Sequence, residues 1–323
     1  MEACVVVGAG LSGLTAARRL FKSGVRVTVL ERERKVGGRM RTDTLEGGVF
    51  DSGAQFFTAR DERFKEMVNR WTSAGVTEEW TRGFADANGN SKEDGYPRYK
   101  GRGGMDTITD YLARGLDVRT GSEVSRLAAN RAGWEVADNG RPLKADALIL
   151  TVPAPSALAL IGANGVPLCE AAWKVLEGIR YDPCIALMAL LDGPGEVPDP
   201  GGVQIGDDPL FWLADNRRKG ISPEPAVTIH AGPEFSREHA GSSDADVVRL
   251  LLREAKDYLG TGVKATAVYR WEYSWVAEAY DEPYVFSEGP PPLVLCGDAY
   301  GGPKVEGAVL SGLAAAERLL EIR

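Results

Sequence analysis

Three glycines within six residues, Gly8-Ala9-Gly10-Leu11-Ser12-Gly13, stand where a short apolar run, Cys4 to Val7, ends. That spacing is what a phosphate-binding turn needs. Gly8 permits a tight turn, Gly10 lets backbone approach a pyrophosphate, and Gly13 lets the following helix sit close to the sheet. Leu11 and Ser12 open that helix, which the spacing of Leu14, Ala17 and Phe21 extends to about Lys22. A run as short as Cys4–Val7 reads as a buried parallel strand. A second run, Val25 to Leu30, ends at Glu31, where a carboxylate can accept the hydroxyl hydrogens of an adenosine ribose. Strand, turn, helix, strand and acid in register predict a dinucleotide site on a βαβ unit.

Further segments extend the pattern. Gly37-Gly38-Arg39-Met40-Arg41-Thr42 follows Glu31, and Phe50-Asp51-Ser52-Gly53-Ala54-Gln55-Phe56-Phe57 follows that. Near the C-terminus stand Leu293-Val294-Leu295-Cys296-Gly297-Asp298, then Gly301 to Lys304, then Val305-Glu306-Gly307-Ala308 opening a helix. This constellation resembles the FAD-dependent amine oxidase superfamily. Phe50 to Thr58, Arg270-Trp271-Glu272-Tyr273 and Cys296 to Gly312 resemble its renalase-like branch.

The resemblance implies an α/β fold: a Rossmann-type FAD-binding domain of a glutathione-reductase-like two-domain flavoprotein, with a discontinuous, mixed-sheet α+β substrate domain. It implies FAD contacts from Gly8, Gly10, Leu11, Ser12, Gly13, Glu31, Arg32, Gly38, Arg39, Gly53, Ala54, Gln55, Phe56, Val124, Gly297, Asp298, Glu306, Gly307 and Ala308. Arg39 would reach the phosphates or ribityl chain, with a surface arginine as the alternative. Asp298 would lie by the ribityl chain and pyrophosphate. The helix from Val305 would turn its unpaired N–H groups toward the flavin N1/O2 edge, with Glu306 as a cap or salt-bridge partner. The FAD is expected to be non-covalent, because the C-terminal flavin segment offers only Cys296, inside a strand. Arg270, Trp271 and Lys304 are the expected catalytic residues. A flat ring beside an arginine suits a planar, phosphate-bearing substrate. Core packing of Trp271, Tyr273 and Trp275, and a surface position for Lys304, stay open as alternatives.

The motifs at both chain ends require a discontinuous cofactor domain. The expected boundaries are 1–58, 101–153 and 288–323 for FAD binding, and 59–100 and 154–287 for the substrate. Gly101-Arg102-Gly103-Gly104 lacks the dinucleotide spacing and reads as a loop before a helix near Met105 to Ala113. Strands are expected near Asp117–Leu127, Trp134–Ala137, Ala147–Thr151, Cys184–Leu191, Val227–His230 and Lys264–Trp271. Helices are expected at Asp61–Ala74 and Asp244–Leu259, and loops at Asp86–Gly95 and Gly193–Pro209.

Composition limits the partners. A net charge of −8 argues against nucleic acid or an anionic membrane. No apolar run reaches spanning length. The first strand starts so near Met1 that no signal peptide is expected, which predicts a cytoplasmic setting. The four cysteines, Cys4, Cys169, Cys184 and Cys296, form no Cys-x-x-Cys pair and read as buried thiols. With only His230 and His239 as imidazoles, no metal site is expected. A flavin carries hydride chemistry itself, so the leading expectation is an oxidase that takes hydride from an isomeric dihydronicotinamide and releases hydrogen peroxide from oxygen. The alternatives are an amine oxidase or desaturase acting on another small or lipidic substrate, and a flavin-holding redox module without turnover. The oligomeric state is left open.

Overall fold

Ala3–Val7 is buried at every position and pairs in parallel on both sides, with Arg26–Glu31 and with Ala147–Leu150. A strand hydrogen-bonded on both edges and covered on both faces must be apolar throughout, which is why Cys4-Val5-Val6-Val7 shows no alternation. The computed structural model describes the whole chain apart from residues 88, 89, 139, 140, 288 and 290 and the side chains of 91, 92 and 141. The chain forms two compact units: residues 1–38, 109–180 and 276–323, and residues 39–108 and 181–275. Residues 39–58 and 101–108 group with the second unit, and 154–180 with the first, unlike the expected division. The expected boundary at 288 falls outside the described residues.

The first unit is built on a six-stranded sheet ordered Val285–Ser287, Leu293–Leu295, Ala147–Leu150, Ala3–Val7, Arg26–Glu31, Asp117–Thr120. All its pairings are parallel except that of the edge strand Val285–Ser287. The helix Leu11–Lys22 packs against the C-terminal helix Val305–Glu321, and a Cβ on Gly312 would lie 2.3 Å from the Ser12 carbonyl oxygen. The single strand expected over Asp117–Leu127 is two. Gly121, at φ +66°, turns the chain after Thr120, and Val124–Asn130 then joins an antiparallel three-stranded sheet. The helices Ala154–Ala163 and Glu170–Gly178 were not expected.

The second unit holds a seven-stranded mixed sheet ordered Val263–Glu278, Arg180–Leu191, Ala226–Ala231, Leu210–Asp215, Gly202–Gln204, Thr77–Asp86, Ser91–Gly101. Strand alternation sorts its core into two faces. Ile185, Leu187, Ala189 and Leu191 pack with Val247, Leu251 and Ala255, whereas Met188 and Leu190 pack with Phe50 and Ala226. The loop expected at Asp86–Gly95 is partly the strand Ser91–Gly101, with residues 88 and 89 outside the described residues. The loop at Gly193–Pro209 contains the short strand Gly202–Gln204. The expected helix Asp244–Leu259 breaks at Ala255.

Lys219, Asp51 and His230 are titratable groups that lie inside this unit. The Lys219 ammonium is 2.6 Å from an Asp51 oxygen, both side chains are fully enclosed, and the cation sits 4.9 Å from the Trp80 ring centre. Burial pulls the Lys219 pKa down while Asp51 opposes that fall. The second Asp51 oxygen accepts from the Thr42 hydroxyl at 2.6 Å and the Met105 amide at 2.8 Å. His230 lies 3.1 Å from the Ser52 carbonyl oxygen, and burial takes its pKa from 6.5 to about 4.

Two stability predictions arise from these groups. Lys219→Met strands a buried carboxylate and should cost about 3–5 kcal/mol in denaturant melts. Adding Asp51→Asn should recover more than half, since the amide oxygen still accepts from Thr42 and Met105. An unfolded His230 binds a proton below about pH 6.5, and the folded one does so only near 4. Stability should therefore fall as pH drops through that window, by about 3 kcal/mol. His230→Gln should flatten that part of the profile, and an unchanged slope would count against a buried neutral imidazole.

Candidate functional site

In the first unit the glycine turn has the geometry its spacing implied. Gly8 adopts φ +105°, and a Cβ there would lie 2.4 Å from the Thr151 hydroxyl. A Cβ on Gly13 would lie 2.1 Å from the Gly8 carbonyl oxygen, so the helix can start this close to the strand only with glycine. Gly10 has nothing within 4 Å of its Cβ direction, and as the helix N-cap it supplies no side chain to the first turn. The first-turn N–H groups contain no acidic neighbour and keep their positive field for an anion. Gly37 donates its N–H to Ala9 at 2.9 Å, and Gly38 lies against Gly10.

Glu31 is buried. One oxygen accepts from the Ala9 amide at 2.8 Å and the other from the Glu33 amide at 2.9 Å. Each retains a lone pair for a ribose hydroxyl. Open backbone at Gly10, an uncapped helix start and a carboxylate pinned beside the turn together fit the adenosine diphosphate part of FAD. Arg32 is exposed and pairs with Glu33 at 3.6 Å, away from this cluster of backbone contacts. Val124 begins the three-stranded sheet, half-buried opposite Asp138.

At the other end of the chain, Gly297 adopts φ +152°, and its N–H donates to the Ser311 hydroxyl at 2.8 Å. Asp298 follows, half-buried. Gly307 is tied to the Gly301–Gly302 turn: a Cβ there would lie 1.7 Å from the Gly302 carbonyl oxygen. Glu306 and Ala308 are half-buried in the first turn of the C-terminal helix. Lys304 is exposed at that helix's N-cap with φ +107° and ψ 172°, a region few residues besides glycine occupy. The Cys296 thiol is enclosed, receives the Ser12 hydroxyl hydrogen at 3.5 Å, and is pushed up to about 12 by burial. Cys169, expected to be buried, is exposed.

In the second unit, the segment after Asp51 is held from several sides. The Ala54 amide donates to Arg39 O at 2.8 Å, and a Cβ on Gly53 would lie 2.1 Å from that oxygen. The Gln55 amide nitrogen donates to Gly53 O at 3.1 Å and to Asp51 O, while its Oε1 is buried without a partner. Phe56 packs on Phe84 and Trp212, with ring centres 4.7 and 5.5 Å away. Arg39 reaches Ser274 O at 3.2 Å.

Arg270 and Trp271 do not act together. Successive residues of a strand face opposite sides. Arg270 binds Asp244 at 2.5 Å and the Ser242 carbonyl at 2.8 Å. Trp271 points the other way and donates its indole N–H to Ser52 O at 2.9 Å. Tyr269 shares the Trp271 face, with ring centres 4.4 Å apart. The expectation of an Arg270–Trp271 clamp on one substrate is therefore corrected. Lys219, His230, Arg41 and Asp43 were not singled out, although each meets the 51–56 segment or Tyr269. Among the described residues no group of three or more His, Cys, Asp or Glu could hold a metal ion, and no helix is long and apolar enough to cross a membrane.

Residues 73–320 match the family described as flavin containing amine oxidoreductase, and residues 6–71 match the NAD(P)-binding Rossmann-like domain. Renalase of Mus musculus is 26% identical over 336 residues, covering 97% of this chain and 97% of that protein. Mitochondrial protoporphyrinogen oxidase of Nicotiana tabacum is 47% identical over 53 residues, which is 16% of this chain and 10% of that protein. Among solved structures, wild-type putrescine oxidase bound to putrescine shares the fold with a TM-score of 0.76 and 18% identity, covering 99% of each chain. The two-ended cofactor motifs, the Rossmann-type sheet and a family match over most of the length agree, and the chain belongs to the flavin containing amine oxidoreductase family as a renalase-like, FAD-dependent oxidoreductase.

Proposed function

We propose that the protein is an oxidase of an isomeric dihydronicotinamide, with molecular oxygen as acceptor and hydrogen peroxide as product, working in the cytoplasm. Bound FAD would supply the two-electron chemistry by accepting hydride from the substrate. Gly8, Gly10, Gly13, Glu31 and Asp298 of the first unit would hold the cofactor without a covalent bond.

One observation carries the substrate reading. Three ionisable side chains held at the segment that receives the Trp271 indole are committed: Asp51 to Lys219, Asp43 to Arg41, and His230 neutral against Ser52 O. None of these is poised as a base. A dihydropyridine needs none, because it gives up hydride without first losing a proton. An amine needs its nitrogen deprotonated. The second reading, an amine oxidase or desaturase on another small or lipidic substrate, is favoured by the aromatic face of Tyr269, Trp271 and Tyr273, each half-buried. An anaerobic screen of dihydronicotinamide isomers and amines against the flavin absorbance separates the two. Bleaching by amines alone would overturn the first.

Glu31→Ala and Asp298→Ala should each weaken FAD retention by about 1–3 kcal/mol, the scale of lost charged hydrogen bonds. Dilution followed by ultrafiltration reads this directly, and full flavin retention in both variants would remove these acids from the cofactor site. Ordinary NADH and NADPH should reduce the flavin poorly, because no second glycine fingerprint is present to hold a nicotinamide dinucleotide in the reductase manner. Rapid reduction by either would point to a reductase. Arg270→Ala should leave anaerobic reduction within about twofold of wild type, since its guanidinium serves the Asp244 helix start.

A further inference from the structure

Trp271 is held by a closed ring of contacts. Its indole N–H donates to Ser52 O at 2.9 Å. The Ser52 hydroxyl donates to an Asp43 oxygen at 2.6 Å. Asp43 takes Arg41 in a bidentate grip, with Nε 2.8 Å from both oxygens and a terminal nitrogen 2.7 Å from one. The Arg41 guanidinium lies over the Tyr269 ring, 4.7 Å from its centre. Tyr269 closes the circuit against Trp271, with ring centres 4.4 Å apart. A Cβ on Gly53 would lie 3.4 Å from the edge of the Trp271 ring, so the backbone also bounds it.

We infer that Arg41, Asp43 and Tyr269 are positioning residues whose task is to fix the Trp271 ring as a flat platform for the planar ring of the substrate. An indole held only through its N–H can swing about that bond. A second ring contact restricts that freedom, and Tyr269 provides it, tilted 47° to the indole. Tyr269 packs against the cluster around Phe50, and Arg41 adds a planar cation over its ring. Arg41 keeps that plane because Asp43 holds it at two points. Asp43 is in turn tied to Ser52, the residue whose carbonyl receives Trp271. The Arg41 charge is matched within this circuit by Asp43, so its effect on a ligand runs through geometry. For the ligand's identity, the inference rests on the dihydronicotinamide reading. For the positioning of Trp271 it stands on the contacts alone.

The test has two arms. In the first, holoprotein is labelled with 5-fluorotryptophan and observed by fluorine NMR, with the Trp271 resonance assigned by its loss in Trp271→Phe. Tyr269→Leu and Arg41→Lys should shift or broaden that resonance, and Tyr269→Phe, which keeps the ring contact, should restore it. In the second, anaerobic flavin reduction is followed with the isomeric dihydronicotinamide mononucleotides. Tyr269→Leu should raise the half-saturating concentration about tenfold while changing the limiting rate by less than about threefold, and its effect should largely vanish in a Trp271→Phe background. An unmoved Trp271 resonance in Tyr269→Leu, or effects of the two substitutions that simply add, would overturn the inference. If no isomer bleaches the wild-type flavin, the substrate reading falls and the platform's stated ligand falls with it, while the NMR arm still decides whether the circuit positions Trp271.

Discussion

The Asp51 carboxylate is enclosed, and a buried charge is tolerable only when every lone pair is answered. The answer comes from three places far apart in the chain: Thr42 on the facing strand, the Met105 amide at a helix start, and Lys219. The requirement therefore decides how these segments sit in the second unit. It also sets where Ser52 to Gln55 begins, because Asp51 is the last residue of the strand Gly48–Asp51. From there the path is fixed in turn by Arg39 O and by the Gln55 amide on Asp51 O and Gly53 O. Replacing this pair with apolar groups need not unfold the unit. What the pair supplies is a single allowed register for the segment that follows it.

The strand Val263–Glu278 carries two separate tasks on its two faces. Val268 packs toward the helical cluster and Arg270 secures the start of the helix Asp244–Glu254. Ala265, Ala267 and Tyr269 pack toward Phe50, and Trp271 continues that line. The two faces of one segment therefore meet different neighbours. A substitution at one residue then leaves the chemistry of its neighbour in place, provided the strand persists.

The parts of the site that were legible in the sequence are those whose chemistry is local. Gly8, Gly10, Gly13 and Glu31 lie within one βαβ unit, so their spacing alone conveys their geometry. Gly307 at the C-terminal helix is similar, because its close approach to Gly302 spans only a few residues. Arg270 and Trp271 meet different partners because adjacency in sequence is the opposite of adjacency on a strand. Lys219 was invisible for another reason. In Asp215-Asn216-Arg217-Arg218-Lys219-Gly220 it looks like one more solvated cation, and only a partner 168 residues earlier in the chain makes it buried. The hairpin Thr77–Asp86 and Ser91–Gly101 was missed because its residues are largely polar and its alternation weak. The helix Ala154–Ala163 was missed because it is apolar nearly all round and offers no one-sided stripe.

The pairing of Ser12 with Gly312 and Cys296 has a consequence for assembly of the turn. The helix after the nucleotide turn is braced by a helix that lies far along the chain, and Cys296 stands 284 residues after Ser12. Between them the sheet must also receive Ala147–Leu150 and Leu293–Leu295. Contacts of such separation carry a larger loop-closure cost than local pairing with Arg26–Glu31 does. A polypeptide lacking the segment from Leu293 onward would carry the fingerprint in its sequence without the packed turn that gives the fingerprint its meaning.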